Sequence, residues 1–271
     1  MIQTLPTGEP VLGVTSLDGY LYVLLANRFS QQIEVYDVDA CHLLGCLTVP
    51  GLDVARDIVA CGHNRCVYIS DSSQFHVSVH RLALPDATVT HWLVRDVPYG
   101  LSLTVTHGVL VTCKRVRKIK EFSTDGQLLH EVTLPEDVVS PWHSIQLSSG
   151  EFIVCHGDCD DPVRRVCLIG SDGSQVKSFG GPPGIYTGSQ QMNVPVHMAV
   201  DRNGFVFVAD TYNKRVLLLS PVLTGVRKIV SLEQVSWRPV RVHLDSDRRL
   251  LYVAENNFAE YAAGRVAVVS V

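Results

Sequence analysis

The sequence predicts an all-β protein, a six-bladed β-propeller of four-stranded antiparallel blades. Three observations support it: an internal repeat of roughly 45 residues, short apolar strands between turn signals, and an N-terminal segment that resembles an outer strand. A fixed period of about 40 to 50 residues is typical of propellers and solenoids. No long stretch shows helical periodicity, which argues against a fold class that contains helices.

Each repeat contains an anchor strand followed by a second apolar strand. The anchor residues are Tyr22, Tyr68, Leu110, Ile153, Phe207 and Tyr252, and the second strands start near Ile33, Val77, Ile119, Val166, Val216 and Val266. Turns that tolerate positive φ separate strands at 18–19, 125–126, 172–173 and 203–204. We expect one domain over residues 1–271, with blades at 7–51, 52–96, 97–138, 139–193, 194–236 and 237–271 plus 1–6.

The two ends of the sequence complement each other. The sixth repeat runs out after GRVAVVSV, before a fourth strand, whereas residues 2–6 (IQTLP) resemble residues 46–50 (CLTVP) and 131–135 (EVTLP). We therefore expect the N-terminal strand to complete the last blade. Closing the ring in this way protects sheet edges that would otherwise pair with other chains.

Composition narrows the class of protein. The chain has 271 residues, of which 46% are hydrophobic and 18% charged, so it can bury a core and is not disordered. Its net charge of −4 gives no global reason to bind nucleic acid. No apolar run reaches the ~18 residues that span a bilayer, and the first residues lack signal-peptide features. We expect a cytoplasmic monomer with no membrane association and no cofactor.

The eight cysteines are too sparse for a disulfide scaffold and match no zinc template. Cys61 and Cys66 flank a four-residue turn, so a disulfide between them is open and depends on the redox compartment.

One segment carries a resemblance to a known repeat. Residues 193–216 (NVPVHMAVDRNGFVFVADTYNKRV) have a Pro near the start of the inner strand, an Asp-x-x-Gly turn, a strand ending in Ala-Asp, and Asn-x-Arg-Val. The segment resembles an NHL repeat, and aligning the other blades on their anchors carries a degenerate form of the pattern around the ring. The matching positions are Leu25, Asp71, Cys113, His156, Asp210 and Glu255, followed by Gln32, His76, Lys118, Arg165, Arg215 and Arg265.

The chain is thus similar to the propeller domain of TRIM-NHL proteins. That resemblance implies a binding module, in which the propeller selects a protein partner or RNA and separate RING and coiled-coil segments carry the ubiquitin chemistry. Because Asp210 and Arg215 recur in partial form in other blades, we interpret this pair as structural.

Residues two positions after the inner-strand Pro should surround the mouth of the central channel. They are Leu12, Arg56, Gly100, His143, His197 and Arg241, with Tyr99 and Trp142 as neighbours. Two imidazoles and two guanidiniums around one opening would attract anions. The alternative is that these are ordinary rim residues solvated by channel water.

A metal-dependent lyase or hydrolase at the channel mouth is an alternative function. His143 and His197 supply only two ligands, so a third would have to come from a residue such as His156, Asp158 or Asp210. Peptidyl-amidating lyases resemble NHL propellers and use zinc-binding histidines with an Arg and a Tyr. The corresponding candidates in this sequence are His143, His197, Arg56 and Tyr99. Only two histidines are present at the matching positions.

A basic cluster follows the third anchor strand. The segment CKRVRKIK at 113–120 includes Lys114, Arg115 and Arg117, which could bind the phosphates of RNA. The neighbouring loop carries Asp158, Asp160 and Asp161, and this mixed charge suits a charged protein segment at least as well. We therefore predict a non-enzymatic module that binds a protein partner, with RNA binding and metal-dependent chemistry as alternatives.

Overall fold

The computed structural model forms the predicted all-β ring of six blades, each a sheet of four antiparallel strands. It describes residues 3–26, 31–74, 77–84, 86–181, 191–230, 237–257 and 263–271. His76, which the repeat alignment matches with Asp71, lies outside these residues. The prediction of the fold class is confirmed.

The first three blades follow the chain in simple order, from the inner strand outward. Blade 1 contains β2 (Val11–Leu17), β3 (Tyr20–Leu25), β4 (Gln32–Asp37) and β5 (Leu43–Thr48). Blade 2 contains β6 (Ala55–Cys61), β7 (Cys66–Ser72), β8 (Val77–Ala83) and β9 (Val89–Leu93). Blade 3 contains β10 (Pro98–Leu103), β11 (Val109–Cys113), β12 (Lys118–Phe122) and β13 (Leu128–Thr133).

The next two blades repeat this order, and the sixth takes its outer strand from the other end of the chain. Blade 4 contains β14 (Pro141–Gln146), β15 (Phe152–His156), β16 (Arg164–Ile169) and β17 (Gln175–Gly181). Blade 5 contains β18 (Pro195–Val200), β19 (Val206–Asp210), β20 (Arg215–Leu219) and β21 (Val226–Val230). Blade 6 contains β22 (Arg238–Asp245), β23 (Leu250–Asn257), β24 (Ala263–Ser270) and β1 (Gln3–Pro6).

The N-terminal strand closes the ring, as predicted. β1 pairs antiparallel with β24, and Leu5 lies opposite Val266. The Leu5 side chain is 5% exposed and belongs to the apolar cluster between blades 6 and 1, where it packs with residues such as Val14 and Tyr252. The last blade therefore depends on the first residues of the chain for its outer strand.

A register shift near the start of every inner strand positions the channel residues. The shifts fall between Val11 and Gly13, Ala55 and Asp57, Pro98 and Leu101, Pro141 and His143, Pro195 and His197, and Pro239 and Arg241. A bulge of this kind bends the strand and re-aims the side chain that follows it. We call the face on which the inner strands begin the top face, and the opposite one the bottom face.

The described residues include no α-helix, only a 3₁₀ turn at Thr211–Asn213 after β19. No helix among them is long and apolar enough to cross a membrane. Cys61 and Cys66 lie directly opposite each other in the β6–β7 hairpin, and both are free thiols.

The strand closure leads to a stability prediction. Leu5→Ala should lower the free energy of unfolding by about 2–4 kcal/mol, because it removes a buried side chain from the strand that closes the ring. Urea denaturation monitored by circular dichroism measures this change. Leu44→Ala, at a residue 49% exposed in β5, is the matched control and should change it by less than about 0.5 kcal/mol. Equal losses in the two variants would contradict this role of β1.

Candidate functional site

Four polar side chains from four different blades meet in the central channel. Asp57 comes from β6, His143 from β14, His197 from β18 and Arg241 from β22. Asp57, His143 and His197 are buried, and the Arg241 side chain is 13% exposed. We call these four residues the channel cluster. Most of their surface is thus shielded from solvent by the surrounding blades.

The carboxylate of Asp57 is the acceptor at the centre of this cluster. Its Oδ1 accepts from the backbone N–H of Ile58 at 3.0 Å and from Arg241 Nε at 3.2 Å. Its Oδ2 accepts from the backbone N–H of Leu101 at 2.9 Å and from His197 Nε2 at 3.3 Å. The carboxylate thus receives four hydrogen bonds, from blades 2, 3, 5 and 6.

The two histidine rings stack, with centroids 3.9 Å apart and planes inclined by 27°. His143 donates from Nε2 to the carbonyl oxygen of Leu101 at 3.0 Å, and its Nδ1 has no hydrogen-bond partner among the described residues. The Nδ1 of His197 accepts from the backbone N–H of Val242 at 3.4 Å. Each ring therefore has one nitrogen that donates, as a neutral imidazole requires.

The protonation states follow from burial and neighbouring charge. Burial lowers the pKa of His143 to about 3, and proximity to His197 adds to that effect. Burial also lowers the pKa of His197, although Asp57 opposes the shift. Burial alone would raise the pKa of Asp57, but His197, Arg241 and the hydrogen bonds outweigh it and hold the pKa below its usual value. At neutral pH the cluster contains one carboxylate, one guanidinium and two neutral imidazoles.

These donor atoms fit a metal ion poorly. Three residues, Asp57, His143 and His197, each offer one ligand atom, and these atoms lie within 4.8 Å of one another. Three protein ligands are the number that a catalytic zinc site uses. However, both oxygens of Asp57 already accept two hydrogen bonds each, and His197 presents its N–H to the carboxylate. Arg241 also places a fixed positive charge beside the carboxylate. A cation would have to displace these bonds and lie next to a guanidinium.

The structure brings together only some of the residues predicted for the channel mouth. His143, His197 and Arg241 lie in the channel cluster, whereas Arg56 precedes Asp57 and turns away, donating from Nε to Ser72 Oγ at 2.6 Å. The sequence alignment missed Asp57 because it placed Arg56 at the channel position of blade 2. Counting two residues on from Ala55, where the register shifts, would have identified Asp57.

The channel positions of blades 1 and 3 are glycines with close neighbours. A Cβ on Gly13 would lie 2.6 Å from the Ile58 side chain, and one on Gly100 would lie 2.7 Å from His143 Cδ2. Gly13 takes the position that the alignment assigned to Leu12. Larger side chains at these two positions would collide with the neighbouring blade, so blades 1 and 3 contribute no side chain to the channel cluster.

The remaining predicted residues form a second group on the top face, where blades 2, 3 and 4 meet. The Tyr99 and Trp142 rings lie edge to face, with centroids 5.4 Å apart. Lys114 Nζ lies 3.2 Å from the Trp142 ring centroid and 5.1 Å from that of Tyr99. The guanidinium of Arg56 lies 5.1 Å from the Tyr99 centroid. These cation–π contacts join four predicted residues into one surface.

A pocket of about 340 Å³ opens beside these rings. It is lined by Tyr99, Lys114, Arg115, Arg117, Val139 and Ser140. Arg115 is exposed, while Arg117 donates to the carbonyl oxygen of Glu136 at 3.0 Å. We call Arg56, Tyr99, Lys114, Arg115, Arg117 and Trp142 the aromatic–basic face.

Acidic side chains border the aromatic–basic face, as the sequence indicated. Lys114 Nζ forms an ion pair with Asp158 Oδ2 at 2.8 Å, and Arg165 pairs with the carboxylate of Asp137. Asp158 in turn accepts the backbone N–H of Cys159 at 2.8 Å. The surface thus carries both positive and negative side chains around two aromatic rings.

The Asp210–Arg215 pair forms a buried link within blade 5. Arg215 Nε donates to Asp210 Oδ2 at 2.7 Å, and the backbone N–H of Asn193 donates to Asp210 Oδ1 at 2.7 Å. Blade 6 repeats the arrangement with Arg265 and Glu255, which are 2.5 Å apart. Both acids are fully buried, and each pair connects neighbouring strands of its blade. Glu255 differs from Asp210 because its Oε1 has no hydrogen-bond partner among the described residues, and burial raises the pKa of Glu255 to about 7.

Comparison with known proteins identifies the fold and not a family. No family model and no curated protein sequence matches the chain. Virginiamycin B lyase from Staphylococcus aureus aligns over 100% of this chain and 99% of its own, with TM-score 0.66 and 10% identity. A Bacteroides thetaiotaomicron protein of unknown function aligns over 96% and 70%, with TM-score 0.72 and 14% identity. A chain of a nidogen/laminin complex aligns over 87% and 85%, with TM-score 0.67 and 12% identity.

The buried channel histidine leads to a prediction for the pH dependence of stability. His143 has an ordinary pKa of 6.5 in the unfolded chain and about 3 in the fold, so the unfolded state binds more protons between these values. The stabilising effect of the neutral ring is complete above pH 6.5 and is lost as the pH falls. His143→Gln keeps a donor for the carbonyl of Leu101 but cannot be protonated. Below pH 6.5, its free energy of unfolding should therefore fall less steeply with decreasing pH than that of the wild type, by about 1.4 kcal/mol per pH unit.

Urea unfolding at pH 7, 6 and 5 measures this difference. The slope of the unfolding free energy against pH is compared between the variant and the wild type. Groups that titrate alike in both proteins cancel, so the difference reports His143. His130→Gln, at an exposed histidine of β13, is the matched control and should follow the wild type. A His143→Gln profile parallel to that of the wild type would contradict the buried neutral ring.

Proposed function

We propose that this propeller is a non-enzymatic binding module that recognises a protein partner through the aromatic–basic face. The observation that carries the proposal is the convergence of Arg56, Tyr99, Lys114 and Trp142 from three blades beside a pocket of about 340 Å³. Tyrosine, tryptophan and arginine are the residue types that dominate protein interfaces.

The rigidity of this surface favours binding. Tyr99 and Trp142 lie on inner strands next to the register shifts, and each ring contacts a cation. Side chains that are already ordered lose little conformational entropy when a partner binds. Arg115 is exposed at the pocket and makes no ion pair or hydrogen bond with any residue that the structure describes, so it can receive a carboxylate of the partner.

Charge favours a protein partner over RNA. Lys114 is already paired with Asp158, so the basic cluster offers less free positive charge than its sequence indicates. A phosphate backbone passing this face would also approach Asp158 and Asp137, and their repulsion would offset the contacts to Arg115 and Arg117. A protein segment can match both signs of charge, which makes it the better complement.

The resemblance to NHL repeats supports the same function. The buried Asp210–Arg215 and Glu255–Arg265 pairs repeat one strand-linking device in two blades, as an NHL-type repeat would. At the level of fold, a similar propeller occurs in a nidogen/laminin complex, an assembly of two proteins. This is an analogy of architecture only, since one fold serves many functions.

Metal-dependent lyase chemistry is the less favoured alternative. The three potential ligands in the channel and the likeness to virginiamycin B lyase support it. The occupied acceptors of Asp57 and the adjacent Arg241 oppose it. The channel cluster is also buried, whereas the aromatic–basic face offers an open pocket to a partner.

The proposal predicts a loss of partner binding when this face is altered. Capture from ribonuclease-treated cell lysate, followed by calorimetric titration with the purified captured protein, should give an affinity that the Tyr99→Ala, Arg115→Glu double variant weakens at least tenfold. The expected loss reflects an aromatic anchor and a free cation removed together. Lys177→Glu, at an exposed lysine of blade 4 that does not line the pocket, is the matched charge control and should bind like wild type.

A parallel titration with RNA distinguishes a protein partner from an RNA partner. A labelled random 20-nucleotide single-stranded RNA should bind weakly, and the double variant should change its anisotropy signal little. Strong RNA binding that falls steeply between about 50 and 200 mM salt and disappears in the double variant would contradict the proposal in favour of RNA. Partner binding that survives in the double variant would contradict it as well.

A further inference from the structure

We propose that a groove on the bottom face, between blades 5 and 6, is a second docking site and takes a short peptide segment with bulky apolar side chains next to acidic ones. The groove has a volume of about 1160 Å³. Its lining includes apolar side chains that form a floor and four charged ones. The apolar residues are Phe205, Phe207, Leu218, Ile229, Leu244 and Val269, and the charged ones are Asp201, Arg202, Arg227 and Arg249. We call this set the blade 5–6 groove.

The groove is separate from the aromatic–basic face. It is bordered by the turns at 201–205 and 220–225 of blade 5 and by 246–249 of blade 6. These turns follow the inner strand or the third strand of their blades, so they lie at the bottom of antiparallel sheets. The aromatic–basic face lies where inner strands begin, at the top. The two sites can therefore be tested independently.

The interface between blades 2 and 3 shows how such a gap can be filled. Between blades 2 and 3, Trp92 of the outer strand β9 lies opposite Val79. Its ring packs 5.9 Å from the Tyr68 ring and 6.1 Å from that of Phe122 in the next blade, measured between centroids. The tryptophan occupies the outer part of the space between the two sheets.

Blade 5 has a smaller residue at the corresponding position. Val216 matches Val79, because each lies opposite the residue just before the acid of its blade, Asp210 or Asp71. The outer-strand partner of Val216 is Val230. Val230 is smaller than Trp92, so among the described residues it fills less of the space between its sheet and the next one.

The charges at the rim indicate what the groove receives. Arg227 and Arg249 are exposed, and neither side chain has an ion pair or hydrogen bond within the described part of the chain. The nearby acids are already engaged: Asp201 accepts the backbone N–H of Phe205 at 2.8 Å, and Asp247 pairs with Arg202 at 2.5 Å. Of the charged side chains in its lining, Asp201 is the one acid beside Arg202, Arg227 and Arg249, so the charge of these side chains is positive on balance.

An apolar floor with two unpaired guanidiniums is complementary to an apolar and acidic segment. Phe205, which is 38% exposed, offers its ring as a contact surface for a large apolar side chain. Guanidinium groups bind carboxylates in a bidentate manner, which would fix the direction of the segment. A basic segment or a purely polar one would gain neither contact.

Selection from phage-displayed random octapeptides tests this inference. The enriched sequences should combine Leu, Phe or Trp with Asp or Glu, and the synthetic peptides should bind the whole protein in anisotropy titrations. The Arg227→Glu, Arg249→Glu double variant should weaken binding at least tenfold, and Phe205→Ser should weaken it separately. Replacing the peptide's acidic residues by lysine should also abolish binding.

Lys177→Glu, at an exposed lysine of β17 in blade 4 that lines neither the blade 5–6 groove nor the pocket beside the aromatic–basic face, is the matched control and should leave peptide affinity unchanged. All variants alter exposed side chains, and circular dichroism melts check that they remain folded. Failure to enrich any octapeptide, or enrichment of sequences without acidic residues, would overturn the proposal. So would sedimentation showing that the groove pairs two copies of this chain, with the dimer lost in Phe205→Ser.

Discussion

The carboxylate of Asp57 accepts hydrogen bonds from four blades, and the interior of the ring is arranged around it. Ile58 and Leu101 approach it through their backbone N–H groups, His197 through its ring and Arg241 through its guanidinium. A buried carboxylate is costly unless such partners surround it. Once they do, removing any one leaves an unpaired charge or dipole, so the blades are held in one relative arrangement.

Because the channel residues are bonded to one another, the residues that could contact a partner lie elsewhere on the ring. Polar residues at the channel mouth are expected to meet a ligand, yet His143, His197 and Arg241 are turned inward and bonded to the protein itself. The residues just before the channel positions, including Tyr99 and Trp142, face the top surface, where Lys114 joins them. The same bulge that buries one side chain thus leaves its neighbour half-buried.

The sequence was sufficient for the fold because the repeat is local and recurs six times. Tyr252 and Phe207 mark strands even where the turns differ, and β1 was recognisable from its likeness to other outer strands. Asp57 was not predictable in the same way, since a shift of one residue at a bulge exchanges it with Arg56, and spacing alone does not show where a bulge falls. The groove was not predictable either, because its lining residues come from blades 5 and 6 and meet only in the folded ring.

A double-mutant cycle on Asp57 and Arg241 tests most directly whether the channel is a closed structural network. In urea unfolding at pH 7, Asp57→Asn and Arg241→Gln should each cost about 3 kcal/mol or more, because each leaves a buried partner unpaired. The double variant should cost less than the sum by at least about 1 kcal/mol, since the two side chains share one interaction. Additive costs, with a coupling energy near zero, would show that the Asp57 carboxylate does not hold the blades together through Arg241.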